Sequence, residues 1–298
     1  MSEVVETLLD VKNVVGESII FDDRRNALFW VDIIACEIHT LDLKTAAHRV
    51  WKTPEICTSI GLRADGGFVV GLTKNITLWE QGHTFDLLAQ VEPNLPDNRL
   101  NEGVVGPDGA YWVGTMQNNM HPDGSPRDMT GATGHLYRVA PDGSTLRLSD
   151  DPFGISNTLA WTTDNKLLVA DTLENEIYKY QWESGTNRLS GRQVHFPAFD
   201  RGLPDGSCLD ADGYLWNCRV VGGNCVIRIA PDGAVDRVVE LPCSWPTSCT
   251  FGGPDYATLY ITSARFTQSN EHLAAVPWEG GVFAIDVGMR GRPSNRFG

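Results

Sequence analysis

The chain has 298 residues, 42% of them hydrophobic, enough for a sizeable core, yet no run of ~18 apolar residues could cross a bilayer as a helix. Against 24 Lys and Arg stand 38 Asp and Glu, a net charge of −14 whose field repels nucleic acid and anionic lipid, so both are set aside as partners. The acidic start Met-Ser-Glu-Val-Val-Glu-Thr lacks the basic and apolar regions of a secretory signal, and a cytoplasmic location is expected.

Residues 4–11, VVETLLDV, form a first candidate strand outside any repeat. A unit then recurs six times, in which a short apolar run meets an Asp-containing turn and a second apolar or aromatic run. The units read IIFDDRRNALFWVD, IGLRADGGFVVGL, GVVGPDGAYWVGT, LAWTTDNKLLVAD, CLDADGYLWNC and TFGGPDYATLYIT. Their turn aspartates are Asp22, Asp65, Asp108, Asp164, Asp212 and Asp255. Gly and Asn beside an Asp accept the positive φ of a tight turn, so each unit reads as a hairpin. A third strand follows each hairpin (EIHTLDL and NITLWEQ in the first two units), and a more polar fourth usually follows that. Four strands every ~43 residues is the period of a propeller blade, so the expectation is an all-β, six-bladed β-propeller in one domain, 1–298. The sixth unit ends near Val287 without a fourth strand, so the N-terminal strand is expected to complete the last blade and close the ring. Two connections between second and third strands are long, Gln117 to Thr133 and Arg265 to Gly280. They are expected to cover one mouth of the ring.

Seven residues before five of the turn aspartates stand Thr58, Asn101, Asn157, Asp205 and Ser248, and in the first unit Glu17 stands five before Asp22. With a strand period of two, these oxygen-bearing side chains can all point into the central channel at one end. Like charges gathered there are unfavourable unless a cation lies between them. Glu17, Asn157 and Asp205, with Asn101 nearby, would make an all-oxygen site for a hard divalent ion. None of the seven histidines falls at these positions, which disfavours a His-based zinc site. No GxSxG elbow, Walker loop or GxGxxG is present, so those chemistries are not indicated. Seven cysteines without a CxxC pair read as reduced small hydrophobes. A Cys218–Cys225 disulfide fits the spacing, but a reducing compartment argues against it.

These stretches resemble the gluconolactonase/regucalcin family, also called the senescence-marker-protein family. The resemblance rests on LPDGSCLDADGYLW (203–216), FGGPDYATLYITSAR (251–265), ADTLENEIYKY (170–180), NRLNEGVVGPDGAYWVGTM (98–116) and the terminal GGVFAIDVGMRG. It implies a six-bladed propeller with one divalent ion on its axis, held by Glu17, Asn157 and Asp205, with Asp205 also the acid/base. It further implies that Arg99 and Asn101 hold the substrate. The implied reaction is hydrolysis of a sugar lactone to its aldonic acid by a monomer or small homo-oligomer. Calcium is the first expectation for the ion, with zinc, manganese or iron as alternatives. Three departures stand out. The family's Gly-Glu-Gly-Pro is Gly16-Glu17-Ser18-Ile19 here, and Thr158 follows Asn157 where Gly is usual. Some members carry a substrate-contacting acid after Gly-Thr-Met; this chain has Gln117-Asn118-Asn119, and Asn118 is taken as the contact. Competing readings are a calcium-dependent phosphotriesterase or arylesterase propeller, and a calcium-binding regulatory protein without turnover.

Overall fold

A computed structural model describes residues 4–121 and 123–298. Twenty-four strands form six four-stranded antiparallel sheets, each a blade of a six-bladed propeller. The innermost strands are Gly16–Asp22, Ser59–Leu62, Asn98–Val105, Ser156–Trp161, Leu203–Leu209 and Pro246–Gly252. Five blades follow the chain from inside outward. The sixth takes its outermost strand from the other end of the chain: Glu6–Leu9 pairs antiparallel with Val282–Asp286, Thr7 opposite Phe283. The N-terminal strand therefore closes the ring, as its unpaired position in the repeat requires.

The apolar core consists of six separate clusters, each shared by two neighbouring blades. Alternation along a strand explains this, because successive side chains face opposite sides of the sheet. In Ala27–Asp32, Phe29 and Val31 pack toward the second blade, whereas Leu28 and Trp30 pack toward the sixth. Both faces being covered, these strands are nearly uninterrupted apolar runs in sequence.

The hairpin aspartates do more than turn the chain. Asp108 accepts hydrogen bonds from Trp112 Nε1 (3.0 Å) and Arg138 Nε (2.6 Å). In the fifth blade this role falls to Asp210, two residues before Asp212: it accepts from Trp216 Nε1 (3.0 Å) and Arg228 Nε (2.8 Å). The two long connections lie on the face where the innermost strands begin. The second contains a short helix α1, Asn270–Ala275, capped by Ser269, whose side chain accepts from His272 N at 3.1 Å. On the opposite face the C-terminal segment crosses the ring, with Ala211 N donating to Arg290 O (2.7 Å) and Phe297 N to Leu62 O (2.8 Å). Between this strap and the channel wall lies a cavity of about 370 Å³.

Candidate active site

Glu17, Asn101, Asn157 and Asp205 sit near the start of four innermost strands, all buried, and a β-bulge interrupts the ladder beside each. A bulge puts an extra residue into one strand and re-aims its neighbours. It carries these polar groups into the channel without displacing the apolar faces beyond them. The bulge residues Ser18 and Thr158 have φ of 49° and 52°, the left-handed region where glycine has no penalty. These are the two positions where the family pattern carries glycine. Here side-chain bonds across the blades offset the strain. Ile60 N donates to Ser18 Oγ (3.0 Å), Thr158 Oγ1 donates to Asp205 O, and Asn217 Nδ2 donates to Thr158 Oγ1 (3.3 Å).

A run of hydrogen bonds fixes the amides. Arg99 Nη1 donates to Asn101 Oδ1 (2.7 Å), and Asn101 Nδ2 donates to Asn157 Oδ1 (3.1 Å). Asn157 Nδ2 donates to Thr172 Oγ1 (2.8 Å), which in turn donates to Pro204 O (2.8 Å). With its nitrogen committed to Thr172 and its oxygen accepting from Asn101, Asn157 has a fixed amide orientation and one oxygen lone pair left over.

Electrostatics mark the same place. Burial first, and the Asp205 charge second, hold the Glu17 carboxyl well above the usual carboxylate range. Burial and the charge of Glu102 do the same to Asp205. Burial pushes Glu102 up to about 7; its side chain lines the cavity, deep inside the ring. Burial pulls Arg99 down to about 10, opposed by Glu17. Clustered carboxylates of raised pKa are a common property of functional sites.

Among the described residues no three His, Cys, Asp or Glu side chains are set around a common metal point. The set on the axis is of a different kind, two carboxylates and one oriented amide oxygen. Two buried carboxyl groups, Glu17 held up by the Asp205 charge, beside a fixed carbonyl oxygen suit a hard divalent cation, so the residues fit one.

Thr58 and Ser248 complete the polar ring, and Thr58 Oγ1 is committed to Gly71 O (3.3 Å). Asn118 and Asn119 are half-buried at the mouth. Asn118 Oδ1 accepts from Met120 N (3.2 Å), closing a turn, and Asn119 Oδ1 accepts from Arg99 Nη2 (3.0 Å). Glu102 and Asn119 therefore join the residues that sequence reasoning brought together. A period-two reading sends Glu102 away from the channel once Asn101 points in; the bulge between Leu100 and Gly103 lets both approach it.

Residues 15–265 match the family described as SMP-30/Gluconolactonase/LRE-like region. This chain belongs to that family. A 6-deoxy-6-sulfogluconolactonase of Pseudomonas putida is 34% identical over 297 residues, covering 98% of this chain and 97% of that protein. Regucalcin of Xenopus laevis is 33% identical, covering 98% of each. Among solved structures, a regucalcin from Agrobacterium tumefaciens described as a calcium-binding protein superposes with a TM-score of 0.91 at 26% identity, covering 100% of this chain and 98% of that one. For the SMP-30/gluconolactonase fold this is near-complete correspondence of all six blades. No helix among the described residues is long and apolar enough to cross a membrane.

Proposed function

We propose that this chain hydrolyses a sugar lactone to its aldonic acid, with one divalent cation, calcium first among the candidates, held by Glu17, Asn157 and Asp205. The observation that carries the reading is the convergence of two buried carboxyl groups, Glu17 held up by the Asp205 charge, with an amide fixed at its nitrogen by Thr172 and at its oxygen by Asn101. It occurs at one mouth of a propeller whose relatives include a sugar lactonase. When bound, the cation would polarise the lactone carbonyl and stabilise the charge developing on its oxygen.

The chain's own groups supply the rest. Asp205 is the acid/base: its carboxylate takes the proton of the attacking water and returns it to the ring oxygen as the C–O bond breaks. The balance is one water consumed and one hydroxy acid formed. Arg99, whose planar fork suits paired oxygens, holds the substrate together with Asn101, and Asn118 adds a contact from the loop above. Asn217 Nδ2, donating to Asp205 O at 3.1 Å, fixes the backbone that carries the base.

Asp205→Asn should lower kcat on a hexonolactone at least ~10²-fold, the usual loss on removing a general base, with its melting temperature close to that of the parent. Retention of a tenth of the activity would remove Asp205 from that role. Stripping metal with a chelator should abolish acid release, and a divalent ion should restore it. Tight calcium binding with no lactone turned over would instead indicate a calcium-binding protein without turnover.

A further inference from the structure

Arg99 is 5% exposed, and no carboxylate of the described residues lies within ion-pair distance of its guanidinium. Its partners are all neutral: Leu100 O at 2.8 Å, Asn101 Oδ1 at 2.7 Å and Asn119 Oδ1 at 3.0 Å. Its Nε is buried and has no partner. Glu17 is the carboxyl whose charge acts on Arg99, and it stands beyond ion-pair distance; a buried cation without a bonded counter-anion is unfavourable, and the imbalance is reduced when an anion arrives from outside. The first loop holds this state in place. Asn118 N donates to Asp97 O (2.7 Å) and Arg127 N to Asn119 O (2.7 Å), so the amide of Asn119 is held over Arg99 by backbone hydrogen bonds on both sides. Arg127 adds a second cation on that loop. Its partner Asp97, at 3.2 Å, is 67% exposed in its side chain, and such a surface pair is weak.

We propose that Arg99 is the anion-recognition group of the site, and that the preferred lactone carries a carboxylate or sulfonate at the carbon remote from its carbonyl. This rests on the lactonase reading above. Arg99 meets Asn157 through Asn101, so it stands one side chain away from the place where the carbonyl would be held. A substituent at the far end of the sugar can reach it there. On binding, the substituent displaces the Asn119 amide from Nη2. A hydrogen bond to a neutral acceptor is exchanged for one to an anion, and the guanidinium fork gives carboxylate and sulfonate oxygens a paired geometry that a hydroxyl lacks. Asn119 is the positioning residue: an acid in its place would neutralise Arg99 and turn the preference toward uncharged sugars.

The test compares three hexonolactones with the same ring, ending in a hydroxymethyl, a carboxylate or a sulfonate. At least one anionic lactone should exceed the neutral one about tenfold in kcat/KM, chiefly through KM, and the advantage should shrink as salt is raised. Asn119→Asp should cut the anionic-to-neutral ratio about tenfold while the neutral lactone is still turned over. Calorimetric binding of the three ring-opened acids gives a readout independent of turnover, and the acids with the extra anion should bind about tenfold tighter. The carboxylate and sulfonate arms tell which anion is meant. Equal kcat/KM and equal binding across the three would overturn the proposal, as would an unchanged ratio in the Asn119→Asp protein. A binding preference for the extra anion with no turnover of any lactone would sustain the role of Arg99 and sink the lactonase reading.

Discussion

Thr158 shows how a single side chain can serve both stability and the site. Its left-handed φ of 52° disfavours a β-branched residue. Its hydroxyl nevertheless donates to Asp205 O, contacts Ser207 Oγ at 2.9 Å and accepts from Asn217 Nδ2. Thr158→Val keeps the shape and the strain but removes these bonds, leaving Asn217 Nδ2 as the side-chain donor that Asp205 O keeps. The expected cost is about 0.5–1.5 kcal/mol, the net worth of a hydrogen bond, read as a melting temperature a few degrees lower, with a fall in kcat as the backbone under Asp205 loosens. A Val variant with unchanged kcat would separate the hydroxyl from the base. His39 offers a second residue-scale prediction. It stacks on Trp30 at 5.0 Å, faces His48 Nε2 from its Nδ1 at 3.0 Å, and has Glu37 3.2 Å from its Nε2. Burial first, with the His48 charge also lowering it and Glu37 opposing, holds its pKa at about 4, below the ordinary imidazole value of 6.5. The neutral ring is thus the folded form, and its contribution is fully present above pH ~6.5. It is lost as pH falls from there toward about 4, where the unfolded chain binds the proton and the folded one resists it. His39→Phe, which keeps the stacking, should therefore lose less melting temperature than the parent between pH 7 and pH 4.5. Parallel acid profiles would exclude His39 as a contributor.

At the scale of the strand and loop, the regular part of the site was legible and the irregular part was not. A constant offset of seven residues from hairpin aspartate to channel side chain singled out Asn101, Asn157 and Asp205, because positions equally far from the hairpin turn lie at the same height in the ring. Glu102 escaped because its visibility depends on a bulge, and a bulge leaves no period of its own. The glycine-to-Ser18 and glycine-to-Thr158 departures were visible as differences, but their meaning needed the φ angles. In the first long loop, two adjacent asparagines are indistinguishable by composition; which of them meets Arg99 depends on a turn that Asn118 closes with Met120 N. The second loop read only as cover for the mouth, yet it holds helix α1 and is tied down at its end. Glu279 accepts from Ser244 N at 2.7 Å and from the Ser244 hydroxyl, and His272 Nε2 lies 3.0 Å from it. Glu279→Ala should free this loop. Limited proteolysis should then cut within 265–280 several times faster while the six blades remain intact, and an unchanged cleavage pattern would show that the helix is held by other contacts.

For the molecule as a whole, the repeat period fixed six blades and the missing fourth strand of the last unit pointed to the closure. The C-terminal strap left no such signal, since residues beyond Val287 have neither alternation nor a turn motif. Removing residues 1–12 should lower the melting temperature by at least about 5 °C. That deletion exposes the edge of Val282–Asp286 and strips Leu8, Leu9 and Val11 from the cluster between the first and sixth blades. An unaltered melt would mean that the ring holds without its clasp.

Closure by strands from opposite ends of the chain sets an order in time. A ribosome releases Glu17 long before the sixth blade, whose Thr247 then bonds back to Gly16 O, beside Glu17, and whose strand Val282–Asp286 pairs with Glu6–Leu9. The carboxylate made first therefore reaches its final setting only after the sixth blade has been made. A nascent chain halted before the sixth blade can build blades, but it should not assemble the centre that Glu17, Asn157 and Asp205 form together.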